Sequence, residues 1–214
     1  MMIRQVKVVN GDIVLVLNNA VDSLSSTVDG GLRHGVRYII HHHVPSDFNA
    51  DPMLEVRRIH EALSIKSNET VTFLTATELP RNHVINEENT HGLRVTVSLT
   101  IGLSNPYRIE DGNVISLLRK PSTVNIAVII DANLTQPALV DAVALIAETK
   151  HETLSELTNG EIHGTTSDAI AILSSGNGEL RPYAGLATDV GKAISHAVYN
   201  ALIKAYEINQ YKNH

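Results

Sequence analysis

Residues 122–157 read STVNIAVIIDANLTQPALVDAVALIAETKHETLSEL, and residues 159–173 read NGEIHGTTSDAIAIL. Residues 123–130 are almost all β-branched or apolar, a pattern typical of a strand buried on both faces. Gln136–Leu157 carries an apolar stripe at helical spacing, and residues 169–173 predict a second buried strand. Polar residues lie between these elements, where strands begin and end and where binding and catalytic groups are usually displayed.

Further strands are predicted on the N-terminal side of this stretch. Asn10-Gly11 stands between two apolar runs, and a hairpin is expected there because both residue types tolerate positive φ. Residues 93–103 alternate between apolar and polar side chains, which predicts a strand with a more polar second face. The other predicted strands are residues 6–9, 13–17, 36–44 and 71–77.

Two more helices are predicted from apolar spacing. Residues 53–63 form one, with Asp51 as its N-cap, and residues 190–211 form the other. Residues 105–121 are interpreted as a long connection because they are rich in Pro, Gly and charge. We therefore expect an α+β fold in one domain, residues 1–214, with a mixed β-sheet packed by a few helices that include a long central helix and a C-terminal helix.

Composition excludes several classes of protein. The chain has 214 residues, 43% hydrophobic and 19% charged, which suits a globular protein with a sizeable core. A net charge of -6 without runs of Lys or Arg argues against a nucleic-acid partner. The absence of cysteine excludes disulfides and a Cys nucleophile, and suits the cytoplasm. We read no signal peptide and no membrane-spanning segment.

The run His41-His42-His43 is the most conspicuous polar cluster. On a strand His41 and His43 share a face, and two imidazoles on one face can bind a divalent metal ion. No nearby sequence motif such as HExxH supplies a third metal ligand. The run also fits a polar strand end before Pro45. We expect no metal or organic cofactor, and a metal site at His41 and His43 is kept as the alternative.

A second candidate is the turn that precedes the last predicted strand. Gly164, Thr165, Thr166, Ser167 and Asp168 offer hydroxyls, a carboxylate and backbone N–H groups. Such groups can hold an oxyanion or position a water molecule at an amide carbonyl. The same hydroxyls could equally satisfy the backbone of their own turn.

Two further pairs of polar residues are candidates. Glu148 near the end of the long helix could act as a general base if partly buried, with Lys150 beside it, although both could belong to a solvated last turn. Ser104-Asn105 ends the alternating strand, and an Asn side chain can both donate to and accept from a substrate amide, or simply begin an Asn-Pro turn. Phosphate cradles and a GxSxG nucleophile elbow are absent.

Taken in order along the chain, short motifs resemble the adenosylcobinamide amidohydrolase family, CbiZ. The resemblance runs from about Leu24 to the final helix. The motifs are Leu24-Ser25-Ser26, Gly30-Gly31-Leu32, Val44-Pro45, Leu74-Thr75-Ala76, Gly102-Leu103-Ser104-Asn105, Val124-Asn125-Ile126, Leu134, Ala138-Leu139-Val140, Glu148-Thr149-Lys150, Gly164-Thr165-Thr166-Ser167-Asp168-Ala169-Ile170 and Ala184-Gly185.

The resemblance implies an amide hydrolase of corrinoid salvage in cobalamin biosynthesis. Its substrate would be adenosylcobinamide, which loses aminopropanol to give adenosylcobyric acid, and no nucleotide or organic cofactor is implied. The small-molecule corrinoid is the expected partner, and a homo-oligomer is left open. The chain departs from the family pattern at Thr149 and in the turn at His163–Asp168. It also has Gly185-Leu186-Ala187 where the family usually has Gly-x-His.

The mechanistic hypothesis follows from what amide hydrolysis needs: a nucleophile, a stabilised oxyanion and a proton for the leaving amine. We favour water as the nucleophile, with Glu148 or Asp168 as the base. Thr165, Thr166 and nearby N–H groups would hold the oxyanion, and Lys150 or a histidine would assist proton transfer. A Thr or Ser nucleophile within residues 165–167 is the rival. The residues expected to bind substrate are Ser104, Asn105, Asn125, Gly164 and Ser167.

Other functions remain open at this point. The missing late histidine would suit a catalytically degenerate corrinoid-binding protein. The early histidines would suit a metal-dependent hydrolase of another amide. A structural or interaction protein would bind no corrinoid at all.

Overall fold

The structure is a computed structural model that describes residues 2–110, 112–116 and 121–210. Its helices are α1 (Pro52–Leu63), α2 (Gln136–Leu157) and α3 (Asp189–Gln210), with a 3-10 turn at Ser67–Glu69. Its strands are β1 (Ile3–Val9), β2 (Asp12–Ser25), β3 (Gly31–His43), β4 (Thr70–Thr75), β5 (His83–Thr90), β6 (Leu93–Ile101), β7 (Tyr107–Glu110), β8 (Asn113–Ser116), β9 (Val124–Ile130), β10 (Asn133–Leu134), β11 (Ala169–Ser174) and β12 (Leu180–Arg181).

The main sheet has the order β4-β3-β2-β11-β9-β6-β5, and β1 pairs with β2. Two neighbouring pairs, β3 with β4 and β9 with β11, are parallel. The remaining neighbours are antiparallel. The mixed sheet and its flanking helices confirm the predicted α+β class.

Strand β2 joins the two halves of this sheet. It pairs with β3 near both of its ends, whereas on its other edge its first residues pair with β1 and its last residues pair with β11. Its register against β3 shifts around Val21, and such irregularities bend a strand. The half made of β1, β3 and β4 consequently packs over the half made of β11, β9, β6 and β5. A core cluster between them joins Ile39 and Phe73 from the first half to Ala127 and Ile129 from the second.

Helices cover the two outer faces of the folded sheet. Side chains alternate along a strand, so Val14 and Ile40 point away from the inner cluster and pack against Ile59 of α1. On the other outer face, β6, β9 and β11 pack against α2 and α3 in a cluster that includes Val128 and Ile146. The described residues thus form four layers. Helix α1 covers the half-sheet that contains β3 and β4, which packs on the half-sheet that contains β9 and β11, and α2 and α3 cover the other side.

Most of the predicted elements are confirmed, but residues 83–90 and 105–121 differ from expectation. Strand β5 was not predicted because its sequence, HVINEENT, has few apolar residues, as an edge strand can. The predicted long connection over residues 105–121 is wrong for its described part, which contains the hairpin β7–β8. Residues 111 and 117–120 of that connection, and Tyr211 at the predicted end of the last helix, lie outside the described residues.

The second face of β6 is polar as predicted, yet it is buried. Thr96, Ser98 and Thr100 are each at most 1% exposed, because this face lies inside the folded sheet. Within the described ranges, no helix combines the length and apolar character that crossing a membrane requires.

Candidate active site

Two adjoining cavities form a cleft at one end of the folded sheet. The larger cavity has a volume of about 870 Å³ and the smaller about 410 Å³. Both are lined by Ser46, Ala76, Pro121 and Ser122. The cleft lies where β3, β4 and β6 end and where β9 and β11 begin, so residues distant in sequence meet there.

The smaller cavity has apolar walls with polar groups at one end. Val44, Phe73 and Leu74 contribute apolar surface, and Asn125 and Ser167 contribute polar groups. Among the described residues that line it, Asp168 is the one with an ionisable side chain. An apolar pocket with few convergent polar groups is the usual form of a small-molecule site.

The larger cavity is more polar and contains both amide and acidic side chains. Ser104, which the sequence predicted as a substrate-binding residue, lines it. The other polar residues of its lining are Ser46, Thr77, Glu78, Asn82, Ser122, Thr158, Asn159, Glu161, Tyr206 and Asn209.

The Asp168 carboxylate is the centre of a dense hydrogen-bond network. Its Oδ1 accepts from the Val124 backbone N–H at 2.9 Å and from the Thr165 hydroxyl. Its Oδ2 accepts from the Thr165 backbone N–H at 3.0 Å and from the Lys150 ammonium. The side chains of Lys150 and Asp168 are each 7% exposed. These four donors occupy the carboxylate's lone pairs. Asp168 could therefore act as a base only towards one of these donors, or towards a group that displaces one of them.

Gly164 permits this close approach of Lys150 and Asp168. A Cβ at Gly164 would lie 2.7 Å from Asp168 Oδ2 and 2.8 Å from Lys150 Nζ. The turn is also tied to the start of β7, because Tyr107 N–H donates to the Gly164 carbonyl at 3.2 Å. The buried glycine is therefore a packing requirement of the turn.

The two predicted asparagines connect the turn to neighbouring segments. Asn105 Nδ2 donates to the Thr166 hydroxyl at 2.7 Å. Asn125 Nδ2 donates to the Leu74 carbonyl at 3.0 Å and so joins β9 to β4 across the folded sheet. The Thr123 hydroxyl donates to the Ser167 carbonyl at 2.9 Å. The predicted residues of the turn, Ser104–Asn105 and Asn125 thus lie in one region.

The structure places Glu148 outside the cleft and away from the Asp168 network. It is exposed on α2 and lines a separate surface depression with Tyr107 and His151. It lines neither cavity of the cleft. The other predicted site residues that line neither cavity, but lie around Asp168 or Thr166, are Asn105, Lys150, Gly164, Thr165 and Thr166. The partial burial on which the role of Glu148 as a base depended is absent, and of the two proposed bases the geometry favours Asp168.

The early histidines point into different surroundings. His41 is completely buried, its Nε2 lies 2.9 Å from Ser98 Oγ, and its ring stacks on Phe73. His43 is exposed. Within the described ranges, no group of three or more His, Cys, Asp or Glu residues is arranged to hold a metal ion. The donor set at His41 and His43 therefore does not fit a metal site.

Two histidine networks were not anticipated from the sequence. Ser98 Oγ also lies 2.8 Å from His83 Nε2, and burial lowers the pKa of His83 to about 4. On the outer side, His42 Nδ1 lies 2.7 Å from Asp12 Oδ1, and His42 Nε2 lies 2.9 Å from Glu55 Oε1. Although burial opposes its charge, the Asp12 and Glu55 carboxylates raise the pKa of His42. Strand alternation predicts that His42 and His41 point to opposite faces. The partners of His42 come from distant segments and could not be predicted in this way.

Comparisons with known proteins bear on what this cleft does. A sequence model of the CbiZ family, described as adenosylcobinamide amidohydrolase, matches residues 2–213. An adenosylcobinamide amidohydrolase of Halobacterium salinarum is 38% identical over 113 residues, which are 50% of this chain and 48% of that protein. An adenosylcobinamide amidohydrolase of Methanosarcina mazei is 27% identical over 207 residues, 92% of this chain and 96% of that protein. The chain therefore spans about half the length of the first relative and nearly all of the second.

A solved structure shares the fold. The PH0078 protein from Pyrococcus horikoshii OT3 superposes with a TM-score of 0.50 at 12% identity, covering 94% of this chain and 78% of that chain. At this identity the likeness concerns the fold alone.

Proposed function

The chain belongs to the adenosylcobinamide amidohydrolase family, CbiZ, and we propose that it hydrolyses the aminopropanol amide bond of adenosylcobinamide. The products would be adenosylcobyric acid and aminopropanol, which places the reaction in corrinoid salvage. The observation that carries the proposal is the position of Asp168. It is the one ionisable group among the described residues of the smaller cavity, and it lies in the turn that resembles the family.

The proposed reaction needs a nucleophile whose proton can be removed. Asp168 would accept a proton from the nucleophile as the new bond to the amide carbon forms. The negative charge would pass to the carbonyl oxygen, where hydroxyl and backbone donors of Thr166 and Ser167 would stabilise it, since both Thr165 donors are bonded to Asp168. As the C–N bond breaks, the proton would pass from Asp168 to the leaving amine. Lys150, in contact with Asp168 Oδ2, would hold the carboxylate in position.

Two nucleophiles are compatible with this scheme. Water is the one that the sequence favours, and it would have to displace a donor from Asp168. The Thr165 hydroxyl already donates to Asp168 Oδ1, so it meets the geometric requirement for an activated nucleophile. Water would then have to hydrolyse the ester formed with Thr165, which frees the hydroxyl and releases adenosylcobyric acid. Thr165 is only 3% exposed, however, and would have to become accessible to substrate.

A product assay with variants tests the proposal. Purified protein incubated with adenosylcobinamide should release aminopropanol, detected by mass spectrometry. Asp168→Asn should lower kcat by about 10²-fold or more, in line with general base catalysis. Glu148→Gln, which removes an exposed carboxylate outside the cleft, should leave kcat nearly unchanged.

Thr165→Val separates the two nucleophiles. With Thr165 as nucleophile, this variant should lose activity, and acid quenching of the parent protein should trap an acyl-enzyme of matching mass. With water as nucleophile, Thr165→Val should retain turnover and no acyl-enzyme should form.

Circular dichroism establishes that each variant is folded. Folded Asp168→Asn protein with full activity would refute the assignment of the base, and tight corrinoid binding without product would indicate a degenerate binding protein.

The setting of the reaction also remains a proposal. The absence of cysteine and the net charge of -6 support a cytoplasmic protein whose partner is a small molecule and not a nucleic acid. No metal or organic cofactor is invoked in any step, and a homo-oligomer stays open.

A further inference from the structure

The two cavities of the cleft differ in size and charge, and this difference bears on how a corrinoid would be oriented. Pockets of about 300–1,000 Å³ hold drug-sized ligands, and a corrin ring with its side chains is larger than such ligands. The smaller cavity, at about 410 Å³, is too small for the ring but large enough for an aminopropanol arm. The larger cavity, at about 870 Å³ and open to solvent, can take part of the ring.

The charge of the larger cavity suits a cation. Its described lining contains the carboxylates of Glu78 and Glu161 and no Lys, Arg or His. Arg81 Nη1 lies 3.7 Å from Glu78 Oε2 and offsets part of that charge. Adenosylcobinamide carries one net positive charge, because trivalent cobalt is only partly balanced by the corrin and adenosyl ligands. Glu161 is therefore the clearest electrostatic contact for the ring.

The polar side chains of the same cavity suit the edge of a corrin ring. Asn82 and Asn159 line it, and each side-chain amide can donate and accept. The corrin edge carries primary carboxamides with the same capacity. The backbone at Asn82 is held in place, since its carbonyl accepts from Ile101 N–H at 3.2 Å. The smaller cavity has instead the apolar surface and the Asp168 carboxylate that the reacting arm requires.

We propose that the larger cavity is the subsite for the cationic, carboxamide-bearing corrin ring, and that the smaller cavity receives the aminopropanol arm. This inference rests on the proposed function and adds an orientation to it. Ser122, which lines both cavities, then marks the junction where the arm leaves the ring.

Charge-neutralising variants test the subsite. Glu161→Gln should weaken the binding of adenosylcobinamide roughly two- to fivefold, the range of an exposed ion pair, and the effect should shrink at high ionic strength. Binding is measured by absorbance titration of the corrinoid. Glu156→Gln is the matched control, because it removes the same charge near the end of α2 but lines neither cavity. Equal affinity in the two variants would overturn the inference.

A second substrate separates ring binding from catalysis. Asn82→Leu should raise KM for adenosylcobinamide severalfold with little change in kcat, and should not affect N-(2-hydroxypropyl)propionamide, which has the arm without the ring. Asn89→Leu, on the exposed edge strand and outside both cavities, should change neither substrate. An equal effect of Asn82→Leu on both substrates would contradict the orientation. A parent protein that neither binds nor hydrolyses adenosylcobinamide would refute the proposed function itself.

Discussion

At the residue scale, the defining feature is the buried pair of Lys150 and Asp168. Neither residue would be buried alone, because an unpaired charge in a protein interior is strongly unfavourable. Asp168 also accepts from Val124 and Thr165 backbone N–H groups. The pair therefore holds the turn that contributes Ser167 to the smaller cavity. The sequence indicated both residues as candidates, but only the folded chain brings their side chains into contact.

A double-mutant cycle tests this pairing. Lys150→Met and Asp168→Asn should each lower the free energy of unfolding by about 3–5 kcal/mol, the cost of leaving a buried partner unpaired. The double variant should lose clearly less than the sum, because no uncompensated charge remains. Urea denaturation gives the values. Strict additivity would show that the two groups do not depend on each other.

At the element scale, a boundary set by local sequence was predicted correctly, whereas a strand formed by tertiary pairing was not predicted. Helix α1 begins as predicted, with Asp51 Oδ1 accepting from Met53 N–H at 2.7 Å. Its start depends on neighbouring residues only, which makes such a boundary predictable. Strand β5 depends instead on its pairing with β6, so its polar sequence gave no period-two signal.

The N-cap of α1 provides an element-scale prediction. Asp51→Ala should lower the free energy of unfolding by about 1 kcal/mol, because the first-turn N–H groups lose their acceptor. Glu61→Ala, exposed on the same helix, should change it by less than about 0.5 kcal/mol. Thermal or urea unfolding of both variants measures the difference. Equal stability of the two would mean that the cap does not stabilise the protein.

At the scale of the whole molecule, the sheet folds back and encloses polar residues between its halves. His41 of β3 and His83 of β5 share Ser98 of β6. Burial holds the pKa of His41 well below its usual value, with neighbouring His83 lowering it further. These groups favour the folded state only when they are neutral.

The protein should consequently lose stability in mild acid. An unfolded histidine titrates near pH 6.5, whereas burial lowers the pKa of His83 to about 4. Between these values the unfolded chain binds more protons, so the free energy of unfolding falls as pH falls, by up to about 3 kcal/mol from His83. Urea unfolding across this range measures the slope. His83→Gln should flatten it, and exposed His34→Gln should not; identical slopes in all proteins would contradict this account.

The sequence alone determined the class of fold, the main helices and strands and the family, because these depend on local periodicity and on short motifs in order. It also selected Asp168, Asn125 and Ser104, which do line the cleft. Tertiary structure decided that Glu148 lies outside the cleft, that Lys150 pairs with Asp168, and that His42 meets the carboxylates of Asp12 and Glu55. These outcomes depend on how a bent β2 folds one half of the sheet over the other, and contacts between such distant segments leave no periodic signal in the chain.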